Sequence, residues 1–444
     1  MSMRRRNFMS CGAGAMGLTL IAQSSRSQQE NRKTGLTRRE QTVSAGGLSK
    51  ERLGRMHHVL AGYVQRGAVP GMVTLVSRRG EVHVDAIGKT AVGGGDPMRR
   101  DTIFRIASMT KPITAVAALI LVEECKVRLD EPVDRLLPEL TARKVLTRLD
   151  RPLDDTVPAN RPITVRDLLT FRMGKGLLLA PPDKYPILRA MQEQTVDVGP
   201  HLSTAPGPDA WIRGLGTIPL MDQPGERWMY HTGSEAMGVL IARASGQPLE
   251  KFFRERIFEP LGMKDTGFSV PAAKLGRLAT CYQWDAATGK LFVFDEARGG
   301  RWSRRPAFES GGAGLVSTVD DYLAFSRMML NKGKSSGARI LSRLSVELMT
   351  SDHLTPGQKA VSDFFPGFWN NRGWGFGMSG FTRRDHLASV PGRFGWDGGY
   401  GTSAYADPAE EMVGILMTQR LLDDATAIDL NTDFWTLAYQ AIDD

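Results

Sequence analysis

Ser108-Met109-Thr110-Lys111 opens a run in which Ile113, Ala115, Val116, Ala117, Ala118, Leu119, Ile120, Leu121 and Val122 cover every side of a helix. A helix apolar all round has to be enclosed by other elements, so the fold must bury it completely. Pro112 falls in the first turn, where its missing N–H costs little. Ser108 and Lys111 are three apart, which brings Oγ and Nζ into the same space. A serine hydroxyl is a weak nucleophile until a base takes its proton, and a lysine whose pKa is lowered by burial can be that base. The tetrapeptide alone is a weak signal, since a helix-capping serine beside a snorkelling lysine gives the same letters. The apolar flank, with Phe104-Arg105-Ile106-Ala107 leading in, favours the catalytic reading.

With 444 residues, 41% hydrophobic and 24% charged, the chain has the make-up of a globular protein. Its length suits one large two-part unit or two domains. Beyond the leader no stretch reaches the roughly 18 apolar residues that span a bilayer. The net charge is +9, of which four arginines and one glutamate in residues 1–30 contribute +3. No basic stripe with interleaved aromatics occurs, so nucleic acid is not an expected partner. Arg4-Arg5-Arg6-Asn7-Phe8-Met9, a weakly apolar run over 11–22 and a polar exit have the parts of an export signal over residues 1–30. The arginine pair followed by one residue and Phe-Met is similar to the twin-arginine type. A periplasmic location is expected, with a cytoplasmic one if this segment is not a signal. Cys11 precedes the apolar run, so lipid attachment is not expected. Of the other cysteines, Cys125 reads as a small buried filler on the apolar helix, and Cys281 is distant. No C-x-x-C or H-E-x-x-H spacing is present, and no G-x-G-x-x-G follows a strand, so neither metal nor cofactor is expected.

Residues 31–47 read as a flexible linker and 48–444 as one domain. Residues 48–65 predict a helix with Leu53, Met56, Val59, Leu60 and Val64 on one side. Residues 72–87 predict a hairpin about Arg78-Arg79-Gly80. From about 130 to 309 prolines and short helical pieces dominate. They include a helix capped by Thr164, helices over 234–244 and 249–258, and an irregular insertion over 178–224. From 310 onward strands return, at 312–317, 374–381, 401–407 and 412–418, with helices over 319–330 and 425–442. The expected class is α+β: an antiparallel sheet flanked by helices, built from about 48–130 and 310–444, with a mainly helical lobe over about 131–309 and the site in the seam.

Several segments then follow in order: Phe104 to Lys111; Leu129-Asp130-Glu131-Pro132-Val133; Ile163 to Thr170; Pro224-Gly225-Glu226-Arg227-Trp228-Met229-Tyr230; Pro260 to Thr266; Gly311 to Thr318; and Phe394-Gly395-Trp396-Asp397-Gly398-Gly399-Tyr400-Gly401-Thr402. Over about residues 50–440 this order resembles the serine β-lactamase-like superfamily, specifically its class C β-lactamase, D-alanyl-D-alanine carboxypeptidase and family VIII carboxylesterase branch. The resemblance implies a β-lactamase/transpeptidase-like fold, with Ser108 as acylated nucleophile, Lys111 as its proton partner and Tyr230 as the third member. It implies an oxyanion hole from the backbone N–H groups of Ser108 and Gly399, and substrate contacts at Trp396, Asp397, Gly398 and Thr232. A phenolate beside an ammonium can persist at neutral pH because each charge stabilises the other. The base is therefore a property of the Lys111–Tyr230 pair.

Two positions depart from the penicillin-type pattern. Trp396, followed by Asp397, replaces the lysine or other polar residue that opens the third motif, which disfavours a substrate carboxylate by Coulomb's law. Tyr230-His231-Thr232 lacks the amide of Tyr-x-Asn. Both departures are similar to the esterase branch. A carboxylesterase for small or medium acyl esters is the leading expectation. A β-lactamase or D-alanyl-D-alanine carboxypeptidase comes second, and a non-catalytic exported penicillin-binding-like protein third. The expected partner is a small ester, lactam or peptide. Leu177, Leu178, Leu179, Tyr185, Pro186 and Trp211 are candidates to line an apolar acyl pocket. The scheme requires the Tyr230 oxygen within ~5 Å of Ser108 and Lys111.

Overall fold

The computed structural model describes residues 45–181, 183–196, 205–335, 337–362 and 364–444. The export signal read at 1–30 and residues 31–44 of the linker lie outside them.

Helix α1 (Lys50–Gln65) starts at Ser49, whose side chain accepts the Arg52 N–H at 3.3 Å. Strands β1 (Gly71–Arg78) and β2 (Glu81–Ala91) form the expected hairpin, closing at the Arg78↔Glu81 pair. Its two turn residues, Arg79 and Gly80, both take positive φ (47° and 88°), the twist that suits a two-residue hairpin loop. A short strand β3 (Gly94–Pro97) extends this edge. The C-terminal part supplies β4 (Arg372–Trp374), β5 (Ser379–Phe381), β6 (Phe394–Gly398), β7 (Thr402–Asp407) and β8 (Met412–Thr418). Across the sheet the order is β4-β5-β6-β7-β8-β1-β2-β3. Strands from the two ends of the chain meet antiparallel at β8 and β1, with Met72 opposite Thr418.

Period-two alternation divides the core. Met72 and Val76 of β1 and Met412 and Leu416 of β8 pack under α1 and the closing helix α5 (Ala425–Gln440). Val73, Leu75, Val413, Ile415 and Met417 face the large core on the other side. That core takes in α2 (Thr110–Glu123), α3 (Thr232–Ser245) and α4 (Val319–Leu330). Every residue of α2 from Thr110 to Leu121 is buried, as its all-round apolar sequence requires.

Several expectations need correction. The segment 374–381 is a β4–β5 hairpin rather than one strand, turned by Gly377 at φ 66°. A Cβ on Gly377 would stand 2.8 Å from the Lys111 carbonyl oxygen, so this turn packs on α2. Cys125 lies just past the end of α2, at φ 57°, and is exposed rather than a buried filler; both Cys125 and Cys281 are free thiols. The insertion contains helices Pro186–Glu193 and Pro208–Thr217. Trp211 is wholly buried against Phe308, with ring centres 5.0 Å apart, and belongs to that lobe's core rather than an acyl pocket. The middle of the chain also holds two β-ribbons, Lys144–Leu146 with Thr156–Pro158 and Cys281–Asp285 with Lys290–Asp295. Among the described residues no helix is long and apolar enough to cross a membrane.

Candidate active site

Ser108 sits in a 3₁₀ turn (Ala107–Met109) that feeds α2. Ala107 before it adopts φ 44°, a left-handed conformation costly for a residue with a Cβ. The surroundings hold it there. Phe104 and Arg105 pair with Ser317 and Val316. The fully buried Arg105 guanidinium binds Asp295 (Nε to Oδ2, 2.8 Å), the Ala279 carbonyl (2.6 Å) and Gln419 Oε1 (2.9 Å). On the helix side Tyr322 donates its hydroxyl to the Met109 carbonyl at 2.9 Å.

Around Ser108 Oγ two groups converge. Lys111 Nζ lies 2.8 Å away, and the Tyr230 hydroxyl donates to Oγ at 2.8 Å. The ~5 Å requirement is met for Ser108, and the shared Oγ keeps Lys111 Nζ close to the Tyr230 oxygen as well. Lys111, 1% exposed, also donates to the Gly312 carbonyl at 2.7 Å. Its ammonium position lies 4.6 Å from the centre of the Tyr230 ring. Tyr230 is clamped among Phe171, Phe364 and Trp396, ring centres 5.7, 5.0 and 5.8 Å away, and its oxygen accepts the Trp396 Nε1–H at 2.8 Å.

Electrostatics assigns these groups their resting states. Burial lowers Lys111 to about 7, while the Glu235 carboxylate pulls the other way. Burial raises the Tyr230 phenol above its ordinary range, outweighing its hydrogen bonds to Ser108 and Trp396. The phenol therefore rests protonated, and the phenolate allowed by the sequence is not the resting form. His231 is held neutral, first by burial and then by Lys111.

The third motif divides by strand alternation. Trp396 faces the site. Asp397 points to the opposite face of β6, accepting from Ser403 Oγ (2.6 Å) and the Tyr405 hydroxyl (2.9 Å) near α5. Asp397 is therefore not a substrate contact, because neighbouring residues of a strand face opposite ways. Gly398 has no room for a side chain: a Cβ there would strike Thr402 Oγ1 and the Ile106 carbonyl oxygen. That contact seats β6 directly on the turn that carries Ser108. Gly399 follows immediately and faces open space. The Ser108 amide belongs to a first helical turn, where N–H groups lack helical acceptors. Thr232, the first residue of α3, is buried two residues beyond Tyr230. Leu177 packs against the aromatic cluster around Tyr230.

Sequence reasoning missed Glu235, fully buried on α3 with its Oε1 accepting from Ser310 Oγ at 2.7 Å. A lone acid four residues before Val239 on an otherwise apolar helix face was its only signal. It also missed the Arg105–Asp295 pair. Gly333-Lys334-Ser335-Ser336-Gly337 matches G-x-S-x-G, but Ser335 lies in a two-stranded ribbon and not in the strand-to-helix turn that exposes such a nucleophile. Among the described residues no group of three or more His, Cys, Asp or Glu is placed to hold a metal.

The family model described as Beta-lactamase matches residues 56–433. Protein Rv1367c of Mycobacterium tuberculosis (strain H37Rv) is 40% identical over 365 residues, covering 80% of this chain and 87% of that protein. Esterase EstB of Burkholderia gladioli is 31% identical over 373 residues, covering 78% and 85%. Among solved structures, simvastatin synthase (LovD) from Aspergillus terreus, unliganded, superposes with a TM-score of 0.71 at 25% identity, covering 87% of this chain and 98% of that one. The fold is β-lactamase/transpeptidase-like, and the chain belongs to the Beta-lactamase family of serine hydrolases and acyl-transfer enzymes.

Proposed function

We propose that the chain is a serine carboxylesterase working through an acyl-Ser108 intermediate. The observation that carries this reading is the convergence of Lys111 and Tyr230 on Ser108 Oγ, each at 2.8 Å. As a free amine Lys111 has two N–H groups and one lone pair. One N–H serves the Gly312 carbonyl, and the lone pair is left to receive the Ser108 proton. Oγ then bonds to the ester carbonyl carbon, and the backbone N–H groups of Ser108 and Gly399 receive the oxyanion. As the tetrahedral intermediate collapses, the alkoxide leaves and takes the Tyr230 proton, and the Lys111 ammonium restores the phenol. Water repeats the sequence on the acyl-enzyme and frees the acid.

Esters are favoured over lactams because the opening position of the third motif supplies an indole already committed to Tyr230, not a cation for a substrate carboxylate. His231-Thr232 offers no side-chain amide beside the tyrosine. The name of the Burkholderia gladioli relative, an esterase, points the same way. The test is turnover of p-nitrophenyl butyrate and of nitrocefin by the purified chain, beside Ser108→Ala. Ester hydrolysis that vanishes in S108A is expected. Strong nitrocefin turnover without ester turnover would instead identify a β-lactamase.

A further inference from the structure

Glu235 lies in the first turn of α3, five residues beyond Tyr230, and is fully buried. A buried carboxylate needs partners, and its partners lie behind the catalytic lysine. Besides the bond from Ser310 Oγ, the Gly311 and Gly312 amides favour its ionised form. Ser310 Oγ in turn accepts the Ala313 N–H at 2.9 Å. Gly312 has no space for a side chain because Glu235 Oε1 occupies it. From the opposite side the Gly312 carbonyl receives Lys111 Nζ at 2.7 Å. Thr114 of α2 secures the adjoining Gly311 carbonyl at 2.6 Å. One peptide turn thus has the acid packed against the Gly312 Cα and the amine bound to the Gly312 carbonyl. Glu235 Oε2 is buried without a hydrogen-bond partner.

We infer that Glu235 is a positioning residue for acyl transfer: it fixes the Gly311–Gly312 turn on which Lys111 rests, and its charge governs how readily Lys111 takes the Ser108 proton. This rests on the esterase reading above. Burial pushes the amine down and the acid up, and the attraction between their ionised forms opposes both shifts. The other titratable groups near Lys111 are Tyr230, a neutral phenol, and His231, a neutral imidazole; the charge of Asp397 reaches Tyr230 from beyond β6. The turn itself, Ser310 to Leu315, carries no titratable side chain. Lys111 and Glu235 therefore titrate as a pair. When Ser108 attacks, the new ammonium forms beside an acid rather than alone.

The experiment follows Ser108 labelling by a fluorophosphonate against pH, read by intact mass, with folding checked by thermal melting. In that reaction the Oγ–P bond forms, fluoride leaves, and the Ser108 proton passes to Lys111. The free amine prevails above the pKa of Lys111, so labelling rises with pH through that value. The Glu235 charge raises Lys111; removing it lowers Lys111 further and weakens it as a base. In Glu235→Gln the acid limb is expected to move to lower pH by at least about half a unit, with the plateau rate down about tenfold. Glu235→Asp restores much of the limb. Ser310→Ala, which removes a bond favouring the carboxylate, shifts it the same way by less. A folded E235Q with its limb unmoved, or moved to higher pH, overturns the inference. If E235Q does not fold, an unmoved limb in S310A overturns it. Wild-type protein that never labels at Ser108 overturns the esterase reading and this inference together, which separates the two failures.

Discussion

Replacing Trp396 with Phe removes the Nε1–H that reaches Tyr230 at 2.8 Å and keeps an aromatic ring beside Trp374, which the indole meets nearly edge-on at 4.7 Å. Trp396 and Tyr230 are 5% and 8% exposed, so water does not take over the lost bond. In the resting enzyme the acceptor is a neutral phenol and the bond contributes about 1 kcal/mol; to a phenolate the same donor contributes about 1.5–3 kcal/mol. The phenolate exists only while Tyr230 hands its proton to the leaving group, so the excess appears in the barrier. The excess is about 0.5–2 kcal/mol, and at about 1.4 kcal/mol per factor of ten the loss in kcat is between about twofold and 30-fold. It depends on the leaving group. An alkyl alkoxide needs the proton, whereas p-nitrophenolate departs as the anion. W396F is expected to lose the full amount on ethyl butyrate, followed by pH-stat titration, and a clearly smaller amount, below about twofold, on p-nitrophenyl butyrate, followed by absorbance. Equal losses on the two esters would refute the proton-donor role and leave Trp396 as packing only.

Two further substitutions test the frame around this chemistry. Gly398→Ala drives a methyl into the Ile106 carbonyl and Thr402 Oγ1; overpacking of about 1–3 kcal/mol should lower the melting temperature, and retreat of β6 from the nucleophile turn should cut ester turnover at least about tenfold, so unchanged turnover contradicts the close seating. Asp295→Asn leaves the buried Arg105 guanidinium without its carboxylate, and a loss of about 3–5 kcal/mol in urea unfolding is expected; a loss below about 1 kcal/mol would show that Gln419 and the Ala279 carbonyl suffice to satisfy Arg105.

What could be read from the sequence follows the range of the forces involved. The β1–β2 hairpin, the bounds of α4 and the burial of α2 were legible because alternation, capping and apolar periodicity act between near neighbours. Ser108, Lys111 and Tyr230 were legible through motif order, and the structure brings all three together. Asp397 was misjudged because a motif fixes which residues are present but not which face of the strand each takes. The β4–β5 turn was invisible because it exists to meet the Lys111 carbonyl on another element. Glu235 and Asp295 escaped for the same reason: Asp295 meets Arg105 across 190 positions of chain, and no local pattern announces such a pairing. The resting state of Tyr230 depended on burial, which no motif records.

The pairing of β8 with β1 also governs the order in which this enzyme can come into being. The nucleophile turn leaves the ribosome roughly 290 residues ahead of Gly399 and the strand that seats against it. Until Met412–Thr418 has been synthesised, β1 has an open edge and the sheet is missing its centre. A nascent chain halted between Lys111 and Phe394 carries the serine and the lysine but lacks the strand that seats against their turn. Closure of the seam around the Ser108 turn is thus deferred to the final stage of translation.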